Sequence, residues 1–194
     1  MPHISYHSKE IAFKLVYFGP GFSGKTTNLV HLHRSLEETA RGDLIVLDTD
    51  QERTLFFDFL PMDLGEVAGY RIRLNVYTVP GQIYYEATRR LILDGADGVV
   101  FVADSQPERL DADIVTFQLL QENLASYGLE WRDFPIVLQY NKRDLDETIP
   151  VGTLEEELAL NGIPVIEAVA LHGHGVRETV ATISKKVITR FDLS

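Results

Sequence analysis

An apolar stretch from Ile11 to Phe18 runs directly into Gly19-Pro20-Gly21-Phe22-Ser23-Gly24-Lys25-Thr26. The G-x-x-x-x-G-K-T spacing ties three consecutive elements together, because such a loop works only between a strand and a helix. Its glycines let backbone N–H groups turn inward, and the positive end of the following helix completes a cradle for a polyphosphate. Lys25 suits the β- and γ-phosphates of a nucleoside triphosphate, and the Thr26 hydroxyl suits Mg²⁺. The candidate phosphate-binding residues are Gly19, Gly21, Ser23, Gly24, Lys25, Thr26 and Thr27.

The rest of the chain continues that alternation. Short apolar runs near 11–18, 44–48, 71–79, 98–104, 135–140 and 164–169 read as strands. Between them lie helical patterns. One follows the phosphate loop with Leu29, Leu32 and Leu36 inward. A second spans about 108–127 with Leu110, Ile114, Phe117, Leu120, Leu124 and Tyr127 on one stripe, and a third starts near 175 with Val176, Val180, Ile183, Val187 and Phe191. The fold class expected is α/β, a P-loop NTPase with a mostly parallel central sheet flanked by helices. A single domain over 1–194 is expected, large enough to bury its own core. The stretch 48–69 reads as the least regular part, with a hairpin turning at Ala68-Gly69. Long irregular segments in a small domain are usually functional.

Composition narrows the partners. Eighteen Lys and Arg against 29 Asp and Glu leave a net charge of −11, which disfavours nucleic acid or an anionic membrane as partner of the surface as a whole. The chain has no Cys, so disulfides and thiolate metal sites are excluded and a metal must be held by oxygen or His. Six His residues, at 3, 7, 31, 33, 172 and 174, show no ligand spacing. No secretion signal, lipidation motif or membrane-length apolar run is apparent, so the expectation is a cytoplasmic protein without an intrinsic membrane anchor.

The nucleotide is addressed by a second motif. The run 135–140 ends in Asn141-Lys142-Arg143-Asp144, an N-K-x-D tetrad. A carboxylate at Asp144 accepts two hydrogen bonds, from guanine N1–H and its exocyclic amine, where adenine offers an acceptor. The Lys142 stem suits the face of the base, and Asn141 can tie this loop to the phosphate loop. With both motifs in order, the chain resembles the small Ras-like GTPases over nearly its whole length. That resemblance places Gly81 and Gln82 of Pro80-Gly81-Gln82 where the superfamily has the end of D-x-x-G-Q. It implies that Gly81 offers its N–H to the γ-phosphate and that Gln82 orients the attacking water. It also places the Ala170 N–H at guanine O6.

Thr78 stands where that pattern has its metal-linked Asp. With Glu52-Arg53-Thr54-Leu55-Phe56-Phe57-Asp58-Phe59 upstream, the sequence resembles the bacterial MglA family. The resemblance implies a polarity and gliding-motility switch that binds GTP or GDP with Mg²⁺. It also implies an MglB-like Roadblock-domain dimer as activating partner, a downstream effector, and recruitment to a cell pole. Thr54 resembles the switch threonine that meets Mg²⁺ and γ-phosphate, and Arg53 resembles an arginine finger supplied within the chain; a solvated Arg is the alternative. Without a carboxylate at 78, Asp58 is the candidate to support Mg²⁺, because it is a charge inside an apolar run; an outward-facing residue on an alternating strand is the other reading. The cluster Leu55, Phe56, Phe57, Phe59 and Leu60, with Tyr84 and Tyr85, divides between core and partner-facing surface. Two further function classes stand beside the switch: a nucleotide-controlled assembly module that scarcely hydrolyses, and an ATP-dependent small-molecule kinase, which the N-K-x-D tetrad disfavours.

Overall fold

The computed structural model describes residues 2–46, 57–80 and 86–191. Strands β1 (His3–Ser5), β2 (Glu10–Phe18), β3 (Ile45–Val46), β4 (Asp58–Val67), β5 (Tyr70–Thr78), β6 (Gly98–Asp104), β7 (Ile136–Asn141) and β8 (Val165–Glu167) form one mixed sheet in the order β3-β4-β5-β2-β6-β7-β8. β2 pairs in parallel with β5 along one edge. On its other edge, β1 runs antiparallel to its first residues and β6 parallel to its last four. The helices are α1 (Lys25–Ser35), α2 (Glu86–Leu93), α3 (Leu110–Ser126), α4 (Thr153–Glu157) and α5 (Val176–Arg190).

Both faces of the sheet are covered, which is why its central strands read as unbroken apolar runs. Side chains alternate between two cores. Phe13, Leu15 and Tyr17 of β2 with Val100 and Val102 of β6 face Leu29 and Leu32 of α1 and Val176, Val180, Ile183 and Val187 of α5. Val16 and Phe18 with Val99, Phe101 and Ala103 face Ile92 and Leu93 of α2 and Phe117, Leu120 and Leu124 of α3. Fully burying one such side chain contributes about 1.5–3 kcal/mol, so these two layers hold the helices against both faces of the sheet. The stripes expected on α1, α3 and α5 therefore pack against the sheet, with Leu36, Leu110, Ile114 and Phe191 partly buried at their margins; Tyr127, expected on the α3 stripe, is instead exposed just past the end of that helix.

The sequence reading is corrected in one place that matters. The stretch expected to be irregular contains β4, a strand of ten residues pairing antiparallel with β5. Asp58, Leu60 and Met62 point inward and Phe59 and Pro61 are half-buried, a period of two that Pro61, Asp63 and Gly65 obscure in sequence. The hairpin does turn at Ala68-Gly69, where φ is +50° and +82°; positive φ at both central residues is the type I′ pattern that matches strand twist. Phe59 packs on Tyr77 with ring centroids 4.8 Å apart, Phe57 lies 5.9 Å from the same ring, and Leu60 is core.

Candidate nucleotide site

The loops after β2, β5, β6, β7 and β8 all leave the carboxyl end of the sheet, the end at which open α/β sheets bind ligands. The phosphate loop is built by close approach. A Cβ on Gly19, where φ is +146°, would lie 2.2 Å from the Val102 carbonyl oxygen, and one on Gly24 would lie 2.2 Å from Asn141 Nδ2. Only glycine lets the loop sit against β6 and the base motif at once. Lys25 folds back over its own loop, donating from Nζ to Gly19 O at 2.9 Å and Pro20 O at 2.6 Å. Burial lowers its pKa to about 8, against the opposing pull of Asp58 and Asp113. A cation held this way in a dry loop favours an anionic ligand.

Other groups agree with that charge. α1 starts at Gly24 with no side-chain cap and no acidic residue in its first turn. Its leading N–H groups therefore keep their donor capacity for an external acceptor. Ser23 Oγ is fully buried and has no hydrogen-bond partner among the described residues. An orphaned hydroxyl, a lysine and an uncapped helix start fit a phosphate chain.

Beside this loop a carboxylate and two hydroxyls converge. Asp58 is 6% exposed, and its Oδ2 accepts from Thr26 Oγ1 at 2.6 Å and from Thr78 Oγ1 at 2.8 Å. The Asp58 N–H in turn donates to Thr78 Oγ1 at 2.9 Å. One step beyond the Phe59–Tyr77 pair, Asp58 and Thr78 face each other across β4 and β5. Of the two readings of Asp58, the inward one is observed.

On the far side, Asn141 ends β7 and donates from Nδ2 to Ser23 O at 2.7 Å, joining the tetrad to the phosphate loop as its sequence suggested. Its Oδ1 accepts the Ala170 N–H at 2.9 Å, the same N–H expected at guanine O6. Lys142, at φ +66°, sends Nζ to Asp104 Oδ2 at 2.6 Å. Asp144 is exposed, and among the described residues no side chain takes its carboxylate. Among the described residues, then, a carboxylate without a side-chain partner stands at one end and the lysine-bearing loop at the other.

The sequence model of the Ras family matches residues 14–189. The chain belongs to the Ras family. It is also 48% identical over 189 residues, 97% of each chain, to the mutual gliding-motility protein MglA of Myxococcus xanthus (strain DK1622). Ras-family proteins are small GTPases that bind guanine nucleotide with Mg²⁺, and the mixed sheet with flanking helices is the Ras-like P-loop fold.

Within the Ras-family frame, several expected site residues lie outside the described ones: Arg53 and Thr54, Gly81 and Gln82, and with them Leu55, Phe56, Tyr84 and Tyr85. Thr27 is half-buried in the first turn of α1. Three residues were missed by sequence reasoning. Asp104, at the end of β6, receives Lys142; Arg109 donates from Nη2 to Gly21 O at 2.8 Å; Asp113 accepts the Asp104 N–H at 3.1 and 3.2 Å. Asp113 is fully buried, and burial raises its pKa to about 8, above the usual carboxylate range. Its signal was present: it falls four residues before Phe117, a charge set into the apolar stripe of α3.

Proposed function

We propose that this chain is a GTP-hydrolysing switch of the MglA type, using Mg²⁺ and stimulated by an MglB-like Roadblock-domain dimer. The observation that carries this reading is the bond from Asn141 to Ser23 O, which ties the tetrad that ends in Asp144 to the phosphate loop. In this proposal Asp144 reads guanine, the Lys142 stem lies on the base, and the Ala170 N–H is shared between Asn141 and O6. Gly19, Gly21, Ser23, Gly24, Lys25 and Thr27 cradle the phosphates.

Bound Mg²⁺ would neutralise charge developing on the β- and γ-phosphate oxygens. Thr26 and Thr54 are assigned to hold it. Mg²⁺ near a triphosphate keeps several waters, and those waters need acceptors. Asp58 is assigned to them: its Oδ2 already lies 2.6 Å from the Thr26 hydroxyl. The carboxylate missing at 78 is thus supplied from the neighbouring strand, with Thr78 bracing it. Gln82 orients the attacking water, the Gly81 N–H holds the γ-phosphate, and Arg53 offsets charge on the transferring group, an effect on the order of 10³–10⁵ in rate where such a finger acts.

Among the described residues no helix is long and apolar enough to cross a membrane. We assign the protein to the cytoplasm, with recruitment to a pole by partners and an effector that reads the GTP state. The test is phosphate release from GTP with and without a purified Roadblock-domain dimer. Slow intrinsic release strongly accelerated by the dimer supports the reading; equal rates would leave a nucleotide-controlled binding module in its place.

A further inference from the structure

One side chain grips the phosphate loop from outside. Pro20 to Ser23 form a turn closed by a long bond from Ser23 N–H to Pro20 O at 3.4 Å, and its third residue, Phe22, has φ +67°. Positive φ at that position is the type II pattern, which ordinarily takes glycine. A phenylalanine there is strained, and such strain persists only where the surroundings over-determine it. Phe22 does not hold itself by packing, since it is 83% exposed.

Type I and type II turns differ by a flip of the central peptide, here Gly21–Phe22, so whatever fixes the Gly21 carbonyl selects the turn. Arg109, in the short turn ahead of α3, does so by donating from Nη2 to Gly21 O at 2.8 Å. Its guanidinium is itself placed: Nε lies 3.8 Å from Asp104 Oδ2, the buried oxygen that also receives Lys142 Nζ at 2.6 Å. The peptide is planar and trans, so a carbonyl turned to Arg109 sends the Phe22 N–H in the opposite direction.

We propose that Arg109 is a positioning residue of the nucleotide site, holding the Gly21–Phe22 peptide flipped so that the Phe22 N–H donates to the phosphate chain. It also joins that loop, through Asp104, to Lys142 of the base motif. The inference rests on the reading of Gly19–Thr26 as a nucleotide cradle. It deepens that reading by naming what keeps a non-glycine residue in the required conformation.

The experiment is a double-mutant cycle on release of a fluorescent GDP analogue, with Arg109→Ala, Phe22→Gly, both together, and Arg109→Lys. Loss of a charge-assisted hydrogen bond should speed release about tenfold in the Phe22 background. Glycine adopts the positive φ unaided, so Arg109→Ala should change release about twofold or less in the Phe22→Gly background, and Arg109→Lys should recover part of the loss. An equal factor in both backgrounds, or no change in either, would overturn the assignment, since a general charge effect or a structural role does not depend on residue 22. If Arg109→Ala does not fold, as read by its melt, Arg109→Met keeps the aliphatic stem without a donor and enters the same cycle under the same criteria. A parent protein that binds no guanine nucleotide would instead overturn the nucleotide-site reading beneath it.

Discussion

Asp58→Ala is the sharpest perturbation of the proposed metal site, because it removes a carboxylate and leaves Thr26 and Thr54, the residues assigned to hold Mg²⁺, in place. Asp58 accepts hydroxyls from Thr26 at 2.6 Å and Thr78 at 2.8 Å. Each charge-assisted bond of this kind contributes about 1.5–3 kcal/mol in a buried setting. The same substitution relieves the cost of holding an anion that is 94% removed from solvent, a cost of several kcal/mol. The two terms oppose, so the melting temperature should move by only about 4 °C in either direction, equivalent to about 1–2 kcal/mol in a domain of this size. Magnesium dependence has no such cancellation. Losing the partner that orients metal-bound water commonly costs about 10–100-fold in metal affinity, roughly 1.4–2.7 kcal/mol. The assay is GDP release across a magnesium titration, beside a circular-dichroism melt. Asp58→Asn, which keeps the shape and one acceptor but no charge, should fall on the same side as Asp58→Ala. Wild-type magnesium dependence in both variants would refute the assignment and leave Asp58 as a structural bridge between β4, β5 and α1.

The remaining expectations concern base, chemistry and pH. Asp144→Asn should weaken GTP binding about ten- to a hundredfold and shift preference toward xanthine nucleotides, as read by competition binding. Gln82→Leu and Arg53→Ala should retain GTP binding but lose partner-stimulated phosphate release, since both residues are assigned to the transition state. Asp113 has a folded pKa of about 8, above its ordinary 3.8, so the folded state binds the extra proton. Its contribution to stability is therefore full below about pH 4 and is lost as pH rises toward 8. Asp113→Asn should flatten that slope in nucleotide-free melts, gaining on the parent as pH rises.

Much of this architecture is legible in the chain for a physical reason. Strands buried on both faces, such as β6, write unbroken apolar runs, and a loop that must approach β6 and Asn141 at once writes its glycines at 19 and 24. β4 is not legible that way. Its inward positions begin with a carboxylate, Asp58, which is tolerated only because two hydroxyls from α1 and β5 meet it, and those partners are 32 and 20 residues away. β1 has three residues and α4 five, too short to show a period. α2 turns Thr88 and Arg89 to its buried side, which breaks its apolar stripe. Arg109 and Asp104 escaped for the same reason as Asp58: a polar residue near a turn looks solvated until the carbonyl or ammonium it meets is brought in by the fold.

The central claim, that the tetrad ending in Asp144 and the loop carrying Lys25 form one guanine-nucleotide site, is tested most directly by identifying the nucleotide carried by protein purified in magnesium. Denatured protein resolved by ion-exchange chromatography should release close to one equivalent of GDP or GTP, and exchange into adenine nucleotides should fail. Retained ATP or ADP, or free exchange of guanine for adenine, would contradict the account and return the chain to the class of ATP-dependent P-loop enzymes.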